Sequence, residues 1–335
     1  MKFAVVGAGS IGGYLGARLA LAGHQVTFIA RGKNLEAINK NGFKLIEEDG
    51  SEHVAPATAA AFGEAGPHDV ILLALKAQQV GDVAAQMPSL YGPDTPVVTL
   101  QNGVPWWYFY KHGNEYEGRI VRSADPNGTH AQYIPNERVI GTVVYPASEL
   151  IAPGVVKVIE GNRFTLGEPD GSKSERIQKI SEALGEAGFK APISTDIRAE
   201  IWLKLWGNAV FNPVSALTHA TLVDICQYPS TRSLAAAMME EAQAICEKLG
   251  VRIRITIDKR IAGAEAVGKH KTSMLQDVEA GRGLELDAMV GSVVEMARLT
   301  GTPTPHIDAV YACASLLAKT IQDAGGMLAI RNKTV

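Results

Sequence analysis

The chain has 335 residues, 46% of them hydrophobic and 20% charged, and its formal net charge is -3. This length favours two domains over a single core. The mild acidity and the lack of a Lys/Arg run argue against a nucleic-acid-binding or membrane-surface protein. No apolar run approaches the ~18 residues that would span a bilayer, and a strand pattern starts too early to leave room for a signal peptide.

The cysteines indicate a reducing compartment. Cys226, Cys246 and Cys313 have apolar neighbours and no spacing typical of metal ligands. We therefore expect core thiols, no metal site and a cytoplasmic protein.

The N-terminal segment carries a glycine-rich turn between a strand and a helix. An apolar run ends at Gly7, helical spacing begins at Ile11, and a second strand pattern, HQVTFIA, follows. The spacing GxGxxG at such a turn is typical of a dinucleotide site: the first glycine allows the turn, the second admits a pyrophosphate, and the third lets helix pack on strand. The predicted cofactor-binding residues of the turn are Gly7, Ala8, Gly9, Ser10, Ile11 and Gly12.

The end of the second strand indicates which dinucleotide is bound. An NAD site usually has Asp or Glu there, whereas this chain has Ala30 and Arg31, followed by Lys33. A guanidinium suits the 2′-phosphate of NADP(H). The alternative is that Arg31 is an ordinary solvated surface residue.

Two further strand patterns end in polar residues. HDVILLALKA carries Lys76 near its end, and TPVVTLQNG breaks at Asn102. Ligands of open parallel sheets bind at the carboxyl ends of the strands, so we expect Lys76 and Asn102 to touch cofactor or substrate. For Lys76, an exposed loop position is the competing interpretation.

The rest of the chain predicts a change of architecture. An aromatic-rich stretch over residues 104–137 is interpreted as a long excursion, a lid or a subunit contact. Strand-like segments RVIGTVVYPA, GVVKVIEG and NRFTLGEP follow, and beyond about residue 174 the patterns are helical. We therefore predict an α/β Rossmann-type N-terminal domain over residues 1–190, binding NADP, and an all-α substrate and catalytic domain over residues 195–335.

In the helical half, one lysine is flanked in the sequence by apolar residues on both sides. In the stretch RAEIWLKLWGNAVFNP, the residues Lys204, Asn208 and Asn212 drift by only about 80° around a helix, so they form one polar stripe. We expect Pro213 to stop that stripe. A buried ammonium needs a polar partner, because burial removes its hydration.

A second polar constellation lies in KTSMLQDVEAGRGLELD. It contains Ser273, Asp277, Glu285 and Asp287 among apolar neighbours. Taken alone, the serine could simply cap a helix and the carboxylates could be solvated.

Several motifs in this order and spacing resemble one family. They are Gly7 to Gly12, Arg31, LKA at Leu75 to Ala77, QNG at Gln101 to Gly103, EIWLKLWGNAVFNP and SMLQDVEAGRGLELD. Over nearly the whole chain they look like the ketopantoate reductases, also called 2-dehydropantoate 2-reductases. The resemblance implies NADPH-dependent reduction of a 2-oxo acid, above all of 2-dehydropantoate to pantoate in pantothenate biosynthesis.

The same resemblance suggests a role for each site residue. Lys204 matches the proton donor, and Asn208, Asn212 and Ser273 match substrate contacts. The Gly7 to Gly12 turn, Lys76, Asn102 and Ala147 match cofactor contacts, and Glu285 matches an acidic residue near the nicotinamide ribose and the reacting centre. Burial should lower the Lys204 pKa from ~10.4, and Glu285 should limit the fall. We expect the binding site to lie between the two domains.

Two departures and two alternatives bear on this interpretation. Where many members have Thr-His-(Gly or Ala)-Ala, this chain has Val144 to Ala147, and its excursion after Asn102 is longer, so the exact 2-oxo acid stays open. A 3-hydroxy acid dehydrogenase would also place Lys-x3-Asn on a buried helix, but its preceding GxxGxG is absent here. A non-catalytic NADP(H)-sensing protein would have no need for Lys204. A homodimer is one option for the assembly.

Overall fold

The computed structural model describes residues 1–326, which divide into two compact units. Unit 1 runs from Met1 to Glu200, and unit 2 starts at Ile201. The limits predicted from the sequence, 1–190 and 195–335, stay a prediction, and the last nine residues of the second range lie outside the described part of the chain.

Unit 1 combines short apolar strands with helices. Its strands are β1 (Lys2–Val6), β2 (Gln25–Ile29), β3 (Phe43–Ile46), β4 (Glu52–Ala55), β5 (Thr58–Ala60), β6 (Val70–Leu73), β7 (Val97–Thr99), β8 (Val139–Val144), β9 (Ala147–Ala152), β10 (Val155–Glu160) and β11 (Phe164–Gly167). Its helices are α1 (Ser10–Leu21), α2 (Gly32–Asn41), α3 (Phe62–Ala65), α4 (Ala77–Val83), α5 (Thr129–Tyr133) and α6 (Glu175–Glu186), with 3-10 turns at Ala84–Leu90 and Asn136–Arg138.

The main sheet has seven strands in the order β11-β8-β7-β6-β1-β2-β5. All neighbours are parallel except the antiparallel pair β8 and β11. The chain leaves β1 towards β2 on one side and returns to β6 on the other, so the strand order reverses between β1 and β6. The carboxyl ends of these two strands are therefore the place where a doubly wound sheet binds its ligand.

A second sheet in unit 1 was not predicted. Its order is β4-β3-β10-β9, with β3 and β10 parallel and both outer pairs antiparallel. The first two strands, FKLI and EHVA, are short and carry an exposed ion pair between Lys44 and Glu52. Such segments give little hydrophobic periodicity, which explains why the sequence pattern did not reveal them.

The aromatic excursion after Asn102 packs into unit 1, which contradicts the expectation of a lid for its first part. Trp106, Trp107, Tyr108 and Phe109 are all buried. Arg198 donates to the carbonyl oxygens of Tyr108 at 2.8 Å, Pro169 at 2.7 Å and Tyr110 at 2.6 Å. These bonds hold the segment in place, because the partly buried guanidinium would lose three carbonyl acceptors if they opened.

Among its described residues, unit 2 consists of helices and connecting loops and contains no strand. The connecting helix α7 (Ile197–Thr218) is followed by α8 (Leu222–Gln227), α9 (Pro229–Lys248), α10 (Ile257–Ala266), α11 (Ser273–Glu279), α12 (Ser292–Leu299) and α13 (Pro305–Asp323), with a π-helical turn at Asp287–Gly291. Within residues 1–326 no helix is long and apolar enough to cross a bilayer.

Helix α7 and the cysteines each bear on a local expectation for unit 2, and the expectation for Cys313 needs correction. α7 continues beyond Pro213 to Thr218, although proline cannot donate to the carbonyl of Ala209, so the proline ends the polar stripe but not the helix. Cys226 and Cys246 are buried as expected, whereas Cys313 is exposed. Apolar sequence neighbours do not fix burial on an amphipathic helix, because adjacent residues point about 100° apart.

Candidate active site

The glycine-rich turn after β1 is shaped by missing side chains. Gly7 has φ of +108°, a region that side chains rarely adopt, and a Cβ there would lie 2.9 Å from the Leu75 side chain. A Cβ on Gly12 would lie 2.1 Å from the carbonyl oxygen of Gly7. A Cβ on Gly9 would meet nothing within 4 Å. The first and third glycines thus close the turn, and the second leaves open space in front of it for a pyrophosphate.

The start of α1 is suited to an anion. Gly9 precedes the helix and makes no side-chain cap, and the first turn has no acidic residue. The N–H groups of that turn therefore have no side-chain acceptor competing with a phosphate, and the helix dipole favours negative charge at this end.

The neighbouring strand ends hold Lys76 and Asn102 at the same edge. Lys76 is the N-cap residue of α4, and its amide N–H donates to the Gln79 side chain at 3.3 Å. The amide of Gln101 donates to the carbonyl oxygens of Leu73 at 2.8 Å and Leu75 at 3.0 Å. Gln101 therefore ties the end of β7 to the end of β6 and fixes the position of Asn102 beside it. No pattern in the sequence indicates this positioning role.

Arg31 lies just beyond β2, the strand next to β1, and its side chain is exposed. A second missed residue follows it: the Asn34 amide donates to the carbonyl oxygen of Ala8 at 3.4 Å, and its oxygen accepts from the Gly154 N–H at 3.0 Å. Asn34 thus links the glycine-rich turn to the second sheet. A polar residue in the first turn of α2 is the only sequence signal that could have indicated it.

Lys204 is half-buried on α7. Burial lowers its pKa from the ordinary value of 10.5 to about 8, and the negative charge of Glu285 opposes this fall. Both directions were predicted from the sequence. An amine with a pKa near neutrality gives up its proton more readily than an ordinary lysine does.

The polar stripe of α7 continues at Asn212, which is buried at 5% exposure. Its amide nitrogen lies 3.5 Å from the Ser273 hydroxyl and 3.7 Å from the Met289 sulfur. Ser273 does not cap its helix, because Thr272 is the N-cap and accepts from the Leu275 N–H at 3.3 Å. The serine hydroxyl is therefore placed for a role other than capping.

Glu285 lies two residues before the π-helical turn Asp287–Gly291. Its carbonyl oxygen accepts from the Met289 N–H at 3.2 Å, and the Ser292 N–H reaches back five residues to Asp287. Such turns insert one residue into a helix and are frequent at functional sites. Unit 2 thus brings Lys204 and Glu285 into electrostatic contact, and Asn212 reaches both Ser273 and the turn after Glu285.

Two more residues of these motifs lie near the site, Asn208 and Asp277. Asn208 is half-buried one turn after Lys204. Asp277 accepts from Arg282 at 2.8 Å and is 8% exposed, so it holds the loop before Glu285 in place. Among residues 1–326, no group of three or more His, Cys, Asp and Glu side chains is arranged to hold a metal ion.

The segment that departs from the family pattern lies at the junction of β8 and β9. Val144 is buried, and Tyr145 is 41% exposed, with its hydroxyl 3.4 Å from a carboxylate oxygen of Glu200. The guanidinium of Arg163 lies 5.3 Å from the Tyr145 ring centre. Ala147 is the first residue of β9 and is partly exposed.

Comparison with known proteins supports one family. The profile of ketopantoate reductase PanE/ApbA matches residues 3–171, and that of its C-terminal domain matches residues 196–318. A 2-dehydropantoate 2-reductase of Mesorhizobium japonicum is 53% identical over 320 residues, covering 95% of this chain and 98% of the relative.

Solved structures have the same fold. A Ralstonia solanacearum protein assigned to the ketopantoate reductases is 42% identical with a TM-score of 0.91, over 95% of this chain and 98% of that one. A dimeric ketopantoate reductase from Staphylococcus aureus shares the fold at 17% identity and a TM-score of 0.72, over 96% and 100% of the two chains. With both halves of the chain matched by the family's profiles and a relative at 53% identity, the chain belongs to the ketopantoate reductase family.

Proposed function

We propose that the protein catalyses the NADPH-dependent reduction of 2-dehydropantoate to pantoate, as an oxidoreductase acting on a CH-OH group. Family membership and a relative with this activity at 53% identity support the reaction. The single observation that carries the mechanism is Lys204, a half-buried ammonium whose pKa of about 8 is set by burial and by Glu285.

Unit 1 holds the dinucleotide in this proposal. The open space at Gly9 and the uncapped start of α1 fit a pyrophosphate, and Arg31 fits a 2′-phosphate. Lys76, Asn102 and Ala147 complete the cofactor contacts. NADPH, when bound, supplies the hydride that reduces the keto carbon.

Lys204 acts as the general acid. As the keto carbon gains a hydride, the carbonyl electron pair moves to oxygen, and the Lys204 ammonium both stabilises this charge and transfers its proton to that oxygen. The product is the alcohol and a neutral amine, which regains a proton from solvent. Glu285 keeps a useful fraction of the amine protonated, because its charge opposes the fall in pKa.

Asn208, Asn212 and Ser273 orient the substrate. Their amide and hydroxyl groups can donate to and accept from hydroxyl and carboxylate groups without placing another charge in a desolvated site. The hydrogen bond between Asn212 and Ser273 joins α7 to α11, so a group bound by one of them is also positioned by the other.

The test is a steady-state assay of NADPH oxidation with 2-dehydropantoate and a panel of other 2-oxo acids, with pantoate identified as product. We expect 2-dehydropantoate to have the highest kcat/KM. A different preferred 2-oxo acid would retain the chemistry and assign the change in specificity to the region of Val144 to Ala147. Absence of NADPH oxidation with every 2-oxo acid would contradict the proposal.

We further propose that the protein acts in the cytoplasm as a homodimer. The dimeric enzyme of the same fold supports the dimer only by analogy. Light scattering after size-exclusion chromatography tests it, since the dimer has twice the monomer mass of 35.6 kDa.

A further inference from the structure

Helix α13 has uncharged, largely apolar surface on two opposite sides. Its inward side is buried and consists of Ile307, Val310, Ala314 and Ile321. Its outward face consists of exposed residues at helical spacing, namely Pro305, Ala309, Ala312, Cys313, Leu316 and Thr320. Leu316 is 65% exposed, more than any other large apolar side chain among residues 1–326. The helix therefore has more apolar surface than the described part of the chain buries, which is typical of an interaction surface.

The outward face of α13 is symmetric along the helix. Ala312 and Cys313 lie at its midpoint, and the two residues next along the face lie equally far from that midpoint, Ala309 before it and Leu316 after it. A two-fold axis through the midpoint places Leu316 of one copy against Ala309 of a second copy, so a large side chain packs against a small one. The small residues at the centre let two helices approach closely.

The charges beside this face have the order that such an axis requires. Asp308 near the start of α13 and Lys319 near its end lie on the same side of the face, because the segment between them makes about three full turns. In an antiparallel pair of helices, Asp308 of each copy lies beside Lys319 of the other. Both residues already have an exposed partner, Arg298 for Asp308 and Asp323 for Lys319. The second copy extends these pairs into alternating charges, whereas a parallel pair would place like charges side by side.

We propose that the outward face of α13 is the contact between two copies of this chain, packed antiparallel about a two-fold axis beside Cys313. The inference rests on the homodimer included in the proposed function, and it names the surface that forms it. In such an isologous contact each favourable pair occurs twice. The dimer buries Leu316 and the Cys313 thiol, both of which are exposed in the single chain.

The first experiment measures the dissociation constant of the dimer by analytical ultracentrifugation for wild type, Leu316→Glu and Val267→Glu. Leu316→Glu places a carboxylate in the contact twice, so we expect the dissociation constant to rise about 100-fold or more. Val267→Glu is the matched control, because it adds the same charge at an apolar residue that is 52% exposed and lies outside α13. It should leave the dissociation constant unchanged. Circular dichroism should show both variants folded, since both replaced side chains are exposed.

Charge reversal and cross-linking test the antiparallel arrangement. Asp308→Lys places like charges side by side twice and should raise the dissociation constant about tenfold, and adding Lys319→Asp should recover most of that loss. A role within the single chain predicts no recovery, because both intrachain pairs have like charges in the double variant. Mild oxidation should link two chains through Cys313, since Cys226 and Cys246 are buried.

Two results would overturn the inference in different ways. A wild-type protein that is monomeric at every concentration would contradict both this contact and the proposed homodimer. A dimer that survives Leu316→Glu unchanged, or that gives no cross-link through Cys313, would retain the homodimer and assign its contact to another surface. Turnover of 2-dehydropantoate is measured separately, so neither result decides the proposed reaction.

Discussion

The glycine-rich turn of unit 1 and the polar stripe of unit 2 are built in opposite ways. The turn depends on glycines that lack a side chain, and its residues lie within six consecutive positions, Gly7 to Gly12. The stripe consists of side chains whose partners lie far along the chain. Asn212 is hydrogen-bonded to Ser273, and Lys204 interacts electrostatically with Glu285. In the proposed function, cofactor binding is therefore encoded locally, whereas the general acid depends on the tertiary structure of unit 2.

We expect the largest effect from replacing Lys204 in the polar stripe. Lys204→Met keeps the length of the side chain and removes its proton and charge, so kcat should fall by about 10² to 10⁴, the usual contribution of a positioned general acid. NADPH affinity should stay within about twofold of wild type, because the proposed phosphate contacts of the cofactor lie in unit 1. Stopped-flow hydride transfer and fluorescence titration of NADPH measure the two quantities separately.

Lys204→Arg is the control, since it retains a cation that hardly gives up its proton. It should bind substrate better than Lys204→Met and remain slow. A folded Lys204→Met protein with near-normal turnover would leave the proposed mechanism without its acid.

The next effect separates the two functions of the glycine turn. Gly9→Ala points a methyl group into open space, so the unliganded protein should keep its stability while NADPH binding weakens about tenfold or more through loss of a backbone contact to phosphate. Gly12→Ala places a methyl group 2.1 Å from the Gly7 carbonyl oxygen and should destabilise the fold itself by about 1–3 kcal/mol. Urea unfolding without cofactor distinguishes the variants; equal destabilisation by both would contradict this division.

A smaller effect concerns the choice of dinucleotide. Arg31→Ala should weaken NADPH binding about tenfold, through loss of a charge-assisted contact of roughly 1.5–3 kcal/mol, and should leave NADH binding nearly unchanged. Isothermal titration with both cofactors measures the ratio. Lys33→Ala is the matched control two residues away; equal losses of NADPH and NADH affinity in Arg31→Ala would argue against phosphate selection.

The smallest effect is a pH dependence. The proposed mechanism needs protonated Lys204, whose pKa is about 8, so half of the acid is lost at that pH and the reduction rate should decline as pH rises further. The pH profile of kcat/KM between pH 6 and pH 10, a range set around that value, measures it. Lys204→Arg should lack this decline; a wild-type profile that stays flat through about pH 8 would assign the proton to another group.

The same contrast explains how much could be predicted from the sequence. The glycine turn and the first two strands follow from local spacing, and the structure has all of them. The lowered pKa of Lys204 was predictable because an ammonium between two tryptophans must lose hydration wherever the helix packs.

Other features depend on contacts that no local pattern contains. β3 and β4 are short and partly exposed, and their sheet is completed by β10, which pairs with β3 from more than a hundred residues away. Gln101 and Asn34 are ordinary polar residues in the sequence, and only the approach of β6 and of the Ala8 carbonyl gives them a positioning role. Gly207, inside α7, likewise has no role in any local pattern, because the Arg260 guanidinium that occupies the space beside it comes from α10.

The π-helical turn after Glu285 determines how that residue is oriented, around the helix axis, relative to α12. Asp287–Gly291 accommodates one residue more than an α-helical turn, so Glu285 and α12 do not share a continuous helical face. Deleting one residue there would let a regular helix form and would rotate Glu285 by about 100° relative to α12. The carboxylate would then point away from Lys204 although every residue of the site was still present, so the length of this segment matters as much as its composition.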